Sequence, residues 1–326
     1  MVRNMNIEKN AAPVAVFVYN RLEHTKRLFE SLKKNKYADY SDVYIFSDGA
    51  KNSKDQSVYN KNKIQVAQVR DYISKIKGFK NVYITYREKN YGLAKNIISG
   101  VTDVLTKSNK IIVLEDDLVV SSAFLVYMNL ALDRYEHEER VYSVSGYSYI
   151  NKRFIKNRMP ETFFLPVTCS WAWGTWKSCW LQFDFKAEGW QSVFDSRMER
   201  KRFDFGDSVD YSIMLKEQME NDIDSWAVRW YWTVYKNNGL TLYPLHSYAD
   251  NRGFDGSGIH TKDRKPGGMQ LSLNEKERVR FPKQLCADKG TLKASKMSLS
   301  GGRVRRNFYK IRSAAAWAVK RLLLLR

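Results

Sequence analysis

The stretch from Lys110 to Val120, KIIVLEDDLVV, constrains this chain more than any other. Four apolar residues, Ile111 to Leu114, lead into Glu115, Asp116 and Asp117, and Leu118 to Val120 continue beyond them. An apolar run of this kind is what a strand buried on both faces looks like. Three carboxylates at its end repel one another, and each unpaired charge withdrawn from water costs several kcal/mol, so a compensating cation is expected beside them. Oxygen ligands with no neighbouring His or Cys suit a hard divalent ion, Mg²⁺ or Mn²⁺. The competing reading is helix capping, because Ser121 and Ser122 precede a helical segment over Ala123 to Tyr135 and acids favour a helix N-terminus.

Upstream, apolar runs alternate with helical spacing. Pro13 to Tyr19 reads as a strand closing on Asn20-Arg21, after which Leu22, Leu28, Phe29 and Leu32 recur at helical intervals. Asp42 to Phe46 gives a second strand ending in Ser47-Asp48-Gly49, and Val66 to Ile76 an amphipathic helix. Asn81 to Tyr86 is a third strand, Asn90-Tyr91-Gly92 a turn, and Leu93 to Leu105 a helix leading into Ile111. The order β-α-β-α-β-α-β implies a parallel sheet with right-handed crossovers, whose ligands bind at the carboxyl ends of the strands. Arg21, Asp48 and Glu115 to Asp117 all fall at such ends. Neither a Gly-rich dinucleotide fingerprint nor a P-loop is present, which argues against a Rossmann oxidoreductase and a P-loop NTPase.

From Tyr142 the texture changes to short strands and aromatic-rich loops. Val167 to Trp180, VTCSWAWGTWKSCW, carries Trp171, Trp173, Trp176 and Trp180, and its Gly174 signals a backbone brought close to something. These tryptophans serve either an aromatic core or a stacking surface. Phe203 to Met219 reads helical, as does Trp226 to Tyr235 with Asp224 or Ser225 near its N-cap. Leu240 to Tyr243 is a strand stopped by Pro244, Asp250 to His260 is a glycine-rich loop suited to a lid, and 267–300 reads as a polar connector with little structure of its own.

The formal net charge of +20, from 55 Lys and Arg against 35 Asp and Glu, favours polyanions, anionic membranes or phosphorylated ligands as partners. Much of it is terminal: Arg303 to Arg326 holds eight basic residues and no acid among Phe308, Ile311, Trp317, Val319 and four leucines. That composition suits a helix lying in an anionic membrane interface, with self-packing or nucleic-acid binding as the alternatives. Cys169, Cys179 and Cys286 lack zinc-site spacing and point to a reducing compartment. No signal-peptide core and no run of about 18 apolar residues is present, so the expectation is a cytoplasmic protein attached peripherally to the inner membrane face.

Four segments together carry a family likeness. PVAVFVYNR, FSDG, NYGLAKNI and IIVLEDDLVVSSAFLVYM resemble the nucleotide-contacting and metal-site stretches of GT-A fold, nucleotide-sugar-dependent glycosyltransferases. The likeness is closest to the group containing N-acetylglucosaminyltransferase I and bacterial polysaccharide transferases, and it covers roughly residues 12–262. It implies an α/β fold of GT-A type: a Rossmann-like, mostly parallel sheet flanked by helices, with an aromatic-rich acceptor half and a C-terminal basic amphipathic helix. The implied division is a nucleotide-sugar-binding half over 1–140, an acceptor and catalytic half over 141–266, a connector over 267–302 and the membrane-associating helix over 303–326.

The implied roles follow the matched motifs. Arg21 would hold the diphosphate or ribose, Asp48 would accept from uracil, and Glu115 and Asp116 would face sugar and ribose hydroxyls. Asp117 would ligate Mn²⁺ or Mg²⁺, and SWAWGTW, with Trp171 and Trp173, would line the donor sugar and acceptor. Some relatives place the catalytic acid directly after a tryptophan where this chain has Ala227, so the base role moves to Asp224. The implied activity is inverting transfer of a hexosyl or N-acetylhexosaminyl group from a nucleotide sugar, UDP-linked above all, to a glycan or lipid-linked acceptor in bacterial surface polysaccharide synthesis. The alternatives are a nucleotidyltransferase on a related fold, against which YNRLEHT offers no Gly-rich phosphate loop, and a non-catalytic nucleic-acid-binding protein, for which no RNA or DNA motif appears.

Overall fold

Strand β1 (Val14–Val18) is buried at every position, as its unbroken apolar sequence requires, and the rest of the sheet is laid down on either side of it. The computed structural model describes residues 7–254 and 272–300. A one-turn helix α1 (Ile7–Asn10) precedes β1, and α2 (Leu22–Lys33) follows it, burying Leu28, Phe29 and Leu32 on one stripe. Next come β2 (Asp42–Ser47), α3 (Gln56–Ile73), β3 (Asn81–Tyr86), α4 (Leu93–Leu105) and β4 (Lys110–Glu115). The alternation read from the sequence is therefore the alternation in space. Helix α3 begins ten residues before the expected Val66, because Asp55 caps it by accepting from the Ser57 and Val58 amides. Its first two turns are largely exposed, so no apolar stripe marks them.

The acids interrupt the fourth strand. A two-residue turn at Asp116-Asp117 separates β4 from β5 (Leu118–Val120), and only then does α5 (Phe124–Tyr135) start. The capping reading falls, since β5 intervenes and no side chain caps α5. Beyond lie β6 (Val141–Ser145), β7 (Thr162–Leu165), β8 (Trp173–Trp176), α6 (Lys177–Trp180), α7 (Arg197–Phe203), α8 (Tyr211–Met219), α9 (Trp226–Lys236), β9 (Leu240–Pro244), β10 (Ala249–Asn251) and a helix α10 over residues 289–300.

Eight strands make one sheet in the order β3-β2-β1-β4-β8-β6-β9-β7, in which only β8 and β7 run against the rest. β5 and β10 form a separate antiparallel pair. One core fills the sheet's flanks under α2, α4 and α5, and a second gathers around β7, β9 and the helices α7 to α10. The close approach signalled by Gly174 is to backbone: a side chain there would put its Cβ 2.8 Å from the Ile111 carbonyl oxygen on β4.

Two expectations are corrected. The helix expected over Phe203 to Met219 is broken, because Phe205, Gly206 and Asp207 have φ of 50°, 70° and 61° and Asp204 accepts from the Ser212 amide at 2.7 Å, clasping the loop. The supposed connector contains α10, capped by Asp288, whose carboxylate accepts from the Thr291 amide at 2.8 Å; Thr291, Ala294 and Ser295 are buried. The basic segment over 303–326 and most of the expected lid, 255–260, lie outside the described residues. Among the described residues no helix is long and apolar enough to cross a membrane.

Candidate functional site

Parallel pairing sets the site. Phe17 on β1 lies opposite Glu115 on β4, so the chain leaving β1 through Tyr19, Asn20 and Arg21 passes over the acidic turn that ends β4. Arg21, at the N-cap position of α2, donates from Nη2 to Asp116 Oδ1 and, at 3.0 Å, to Asp117 Oδ2. A single guanidinium thus faces three carboxyl groups. Burial pushes the Glu115 carboxyl up to about 8, helped by Asp117 and Asp116 and opposed by Arg21. Burial raises Asp116 as well, against the pull of Arg21. Burial favours loss of the proton from Arg21, but Asp116 and Asp117 outweigh it and hold the guanidinium above its ordinary value.

Among the described residues the cluster is short of positive charge: Arg21 is its bonded cation, and His24 adds a weaker pull on Asp116. Asp116 is 5% exposed and its second oxygen, Oδ2, has no hydrogen-bond partner among the described residues. Asp117 is more open, at 17%. Its backbone is pinned by the Arg252 amide, which donates to the Asp117 carbonyl at 2.7 Å, and its carboxylate is packed against Gly253. A Cβ at residue 253 would fall 2.4 Å from Asp117 Oδ2, so the pairing of β10 with β5 has room for glycine alone there. An orphaned buried carboxylate oxygen in an all-oxygen donor set fits a hard divalent cation. Among the described residues no three acid, His or Cys groups surround one point, so the protein would supply one or two ligands and a bound phosphate the remainder.

Asp48 also lies at this edge, but its oxygens are occupied. They accept from the amides of Gly49 and Tyr91 at 2.8 Å and of Gly92 at 3.1 Å, and from Asn90 Nδ2 at 3.0 Å. A carboxylate has about four acceptor positions, so none remains for a uracil N–H. Asp48 instead fastens the turn after β2 to the turn before α4, and burial raises its pKa against those three amides.

The two tryptophans part company at Ala172, whose φ of 48° turns the chain between them. Trp173 is 1% exposed and stacks on Trp226 at 5.0 Å, with Trp180 and Trp230 beside it, so the expected donor-lining residue belongs to the aromatic core. Trp171 is partly exposed, edge-on to Tyr147 at 4.7 Å and to Phe254 at 5.6 Å, and Phe254 adjoins Gly253 beside Asp117. Asp224 is exposed, and its Oδ2 lies 3.4 Å from the Cβ position of Gly92. Ser225, not Asp224, caps α9 by accepting from the Val228 amide. Among the described residues Asp224 makes no hydrogen bond or ion pair with Arg21, Asp116 or Asp117.

Several residues of the site carry no sequence signal of their own. Gly253, Asn90 and the Asn62 that accepts from Tyr19 Oη at 2.7 Å and from the Lys51 amide at 2.9 Å act through contacts between distant segments. Gly253 and Asn90 do fall in a loop and a turn that the sequence marks, but their contacts with Asp117 and Asp48 are not legible there.

No protein-family model matches the sequence, and no curated protein matches it. Among solved structures the chain is similar to GalNAc-T7 with UDP, GalNAc and Mn²⁺, at 10% identity and a TM-score of 0.41 over 72% of this chain and 43% of that one. It is similar also to S. aureus TarS 1-349 in complex with UDP-GlcNAc, at 13% identity and 0.41 over 77% and 61%, and to S. aureus TarS at 14% and 0.40 over 73% and 36%. The chain thus spans between 36% and 61% of the length of these three. Superpositions this loose leave the chemistry to be read from the residues themselves.

Proposed function

We propose that the protein is a metal-dependent, inverting glycosyltransferase that moves a hexosyl or N-acetylhexosaminyl group from a nucleotide sugar, UDP-linked above all, to a glycan or lipid-linked acceptor in surface polysaccharide synthesis. The observation that carries this reading is the Glu115-Asp116-Asp117 turn with Arg21 laid over it, a charge-deficient carboxylate cluster at the carboxyl edge of a parallel sheet. The motif resemblance supplies the nucleotide sugar. Asp117, the more open acid, and Asp116 Oδ2 are the groups that would hold Mn²⁺ or Mg²⁺. A divalent ion bound there supplies Lewis-acid stabilisation of a diphosphate leaving group.

The remaining roles belong to the chain. Arg21, held at the cluster by two carboxylates, is placed to take a phosphate oxygen, and its planar fork suits that geometry. Asp116 positions Arg21, and Asp48 holds the turns after β2 and before α4 together. Trp171, with Tyr147, offers a partly exposed aromatic wall to a sugar face. Asp224, exposed and free of capping duty, is given the general-base role, taking the acceptor hydroxyl's proton as the new bond forms.

A panel of UDP-, GDP- and CMP-sugars, titrated with and without Mn²⁺, tests the reading. At least one UDP-sugar is expected to bind or hydrolyse in a metal-dependent way that a chelator abolishes; no binding or hydrolysis at any metal concentration sinks the proposal. With the donor known, Asp224→Asn is expected to lower kcat for transfer on the order of a hundredfold at unchanged donor KM. Transfer at the wild-type rate would assign the base elsewhere.

A further inference from the structure

Away from the acids, α10, the turn over Lys152–Phe154 in the β6–β7 loop and the loop between α7 and α8 line a groove of about 580 Å3. Its walls are Phe154, Gly206, Ser208, Leu292 and Met297, and Lys289, Lys293 and Lys296 project from α10 around it. Lys289, Lys293 and Met297 are exposed at successive turns of one helix face. The Lys296 ammonium lies over the Phe205 ring, 5.3 Å from its centroid, and Arg153 lies over Phe154 at 4.6 Å. The Asn151 amide donates to Ser298 Oγ at 2.9 Å and locks this turn onto α10.

The charge at the groove is unbalanced. Among the described residues neither Arg153 nor Lys289, Lys293 or Lys296 makes an ion pair with a carboxylate. The nearby acids are engaged elsewhere, Asp288 in capping α10 and Asp207 with Lys201 at 3.8 Å. Four cations interleaved with Phe154, Leu292 and a 45% exposed Met297 make an amphiphilic surface. The lysine row spans roughly 10 Å of helix from Lys289 to Lys296, longer than one phosphate and suited to several headgroups. Arg303 to Arg326, with eight basic residues and no acid, offers this basic surface no charge complement, whereas anionic headgroups do.

We propose that the Lys289–Lys293–Lys296 face of α10, with Arg153 and Phe154, is a docking surface for an anionic phospholipid membrane. Lysine ammonium groups meet headgroup phosphates, while Met297 and Phe154 enter the interfacial layer. β6 runs parallel to β4, so the turn that builds the groove leaves the same edge of the sheet as the acids. Docking there would bring a membrane-borne acceptor to that edge of the sheet. That last step rests on the proposed transferase activity; the docking itself does not.

Sedimentation of the full chain with vesicles tests it, comparing equal parts phosphatidylglycerol and phosphatidylcholine with phosphatidylcholine alone. The triple variant Lys289→Gln, Lys293→Gln, Lys296→Gln is expected to partition about a hundredfold more weakly onto the anionic vesicles. A control of equal charge, Lys61→Gln, Lys63→Gln, Lys77→Gln on and after α3, is expected to stay within about threefold of wild type. Thermal melting and hydrolysis of soluble donor, unchanged in both variants, separate a docking failure from a failure of the fold or of the transferase reading. Equal losses in the two variants, or wild-type binding by the first, overturn the proposal. So does competition by millimolar glycerol phosphate, which marks a single-phosphate pocket, or loss of oligonucleotide binding without loss of vesicle binding, which marks a nucleic-acid surface.

Discussion

Asp117→Ala is expected to lower sugar transfer by at least about a thousandfold while the protein stays folded. The reason lies in how the three acids differ. Asp116 is 5% exposed and turned toward Arg21, whereas Asp117 is 17% exposed, with only one of its oxygens bonded to Arg21. Asp117 is therefore the acid best placed to meet a cation arriving with a substrate phosphate. Removing it also lets Arg21 settle wholly on Asp116, which disarms the guanidinium for phosphate. The fold tolerates the change, because the backbone bond from the Arg252 amide to the Asp117 carbonyl survives and the space lost is at the surface of the turn. Steady-state transfer with Mn²⁺ and a thermal melt measure the two halves. A variant that retains wild-type turnover would reduce the acids to a structural role.

Arg21→Met acts on stability instead. The thioether fills similar volume but leaves Asp116 without its cation, and breaking a buried pair by removing one partner costs on the order of 3 kcal/mol. Protonation of Glu115, already favoured by the same burial, relieves part of the strain. The urea midpoint is expected to fall accordingly, and adding Asp116→Asn to Arg21→Met is expected to recover most of the loss, because the neutral amide no longer needs a counter-charge. Addition of Mn²⁺ to the single variant is expected to raise the midpoint, since an ion that binds only the folded state stabilises it. If Arg21→Met unfolds with wild-type stability, the acids are balanced by something other than this residue.

The first half of the chain was legible because its signals are local. Apolar runs of strand length separated by stripes at helical spacing put β1 to β4 in order, and the order alone placed Arg21, Asp48 and the acidic turn on one edge. Legibility failed where a residue's role depends on a distant partner. Asp48 reads as available in the sequence, yet Asn90, Tyr91 and Gly92 occupy it in the fold. Trp171 and Trp173 share a motif, yet a positive φ at Ala172 sends one toward Phe254 and the other into a cluster with Trp226. Polar composition hid α10, whose buried face is built from Thr291, Ala294 and Ser295 rather than from large apolar side chains.

The pairing of β5 with β10 also has a temporal meaning. Val120 and Ala249 are partners across about 130 residues of sequence, whereas β1, β2 and β3 pair as successive neighbours through short crossovers. Closing so long a loop is slow relative to forming the local α/β units, so a chain emerging from the ribosome has its acidic turn held by Arg21 but without the Arg252 bond until the β10 segment has been made. The β5–β10 brace of the acidic turn then arrives as a late folding event. Hydrogen exchange at the Arg252 amide is the place to watch for it.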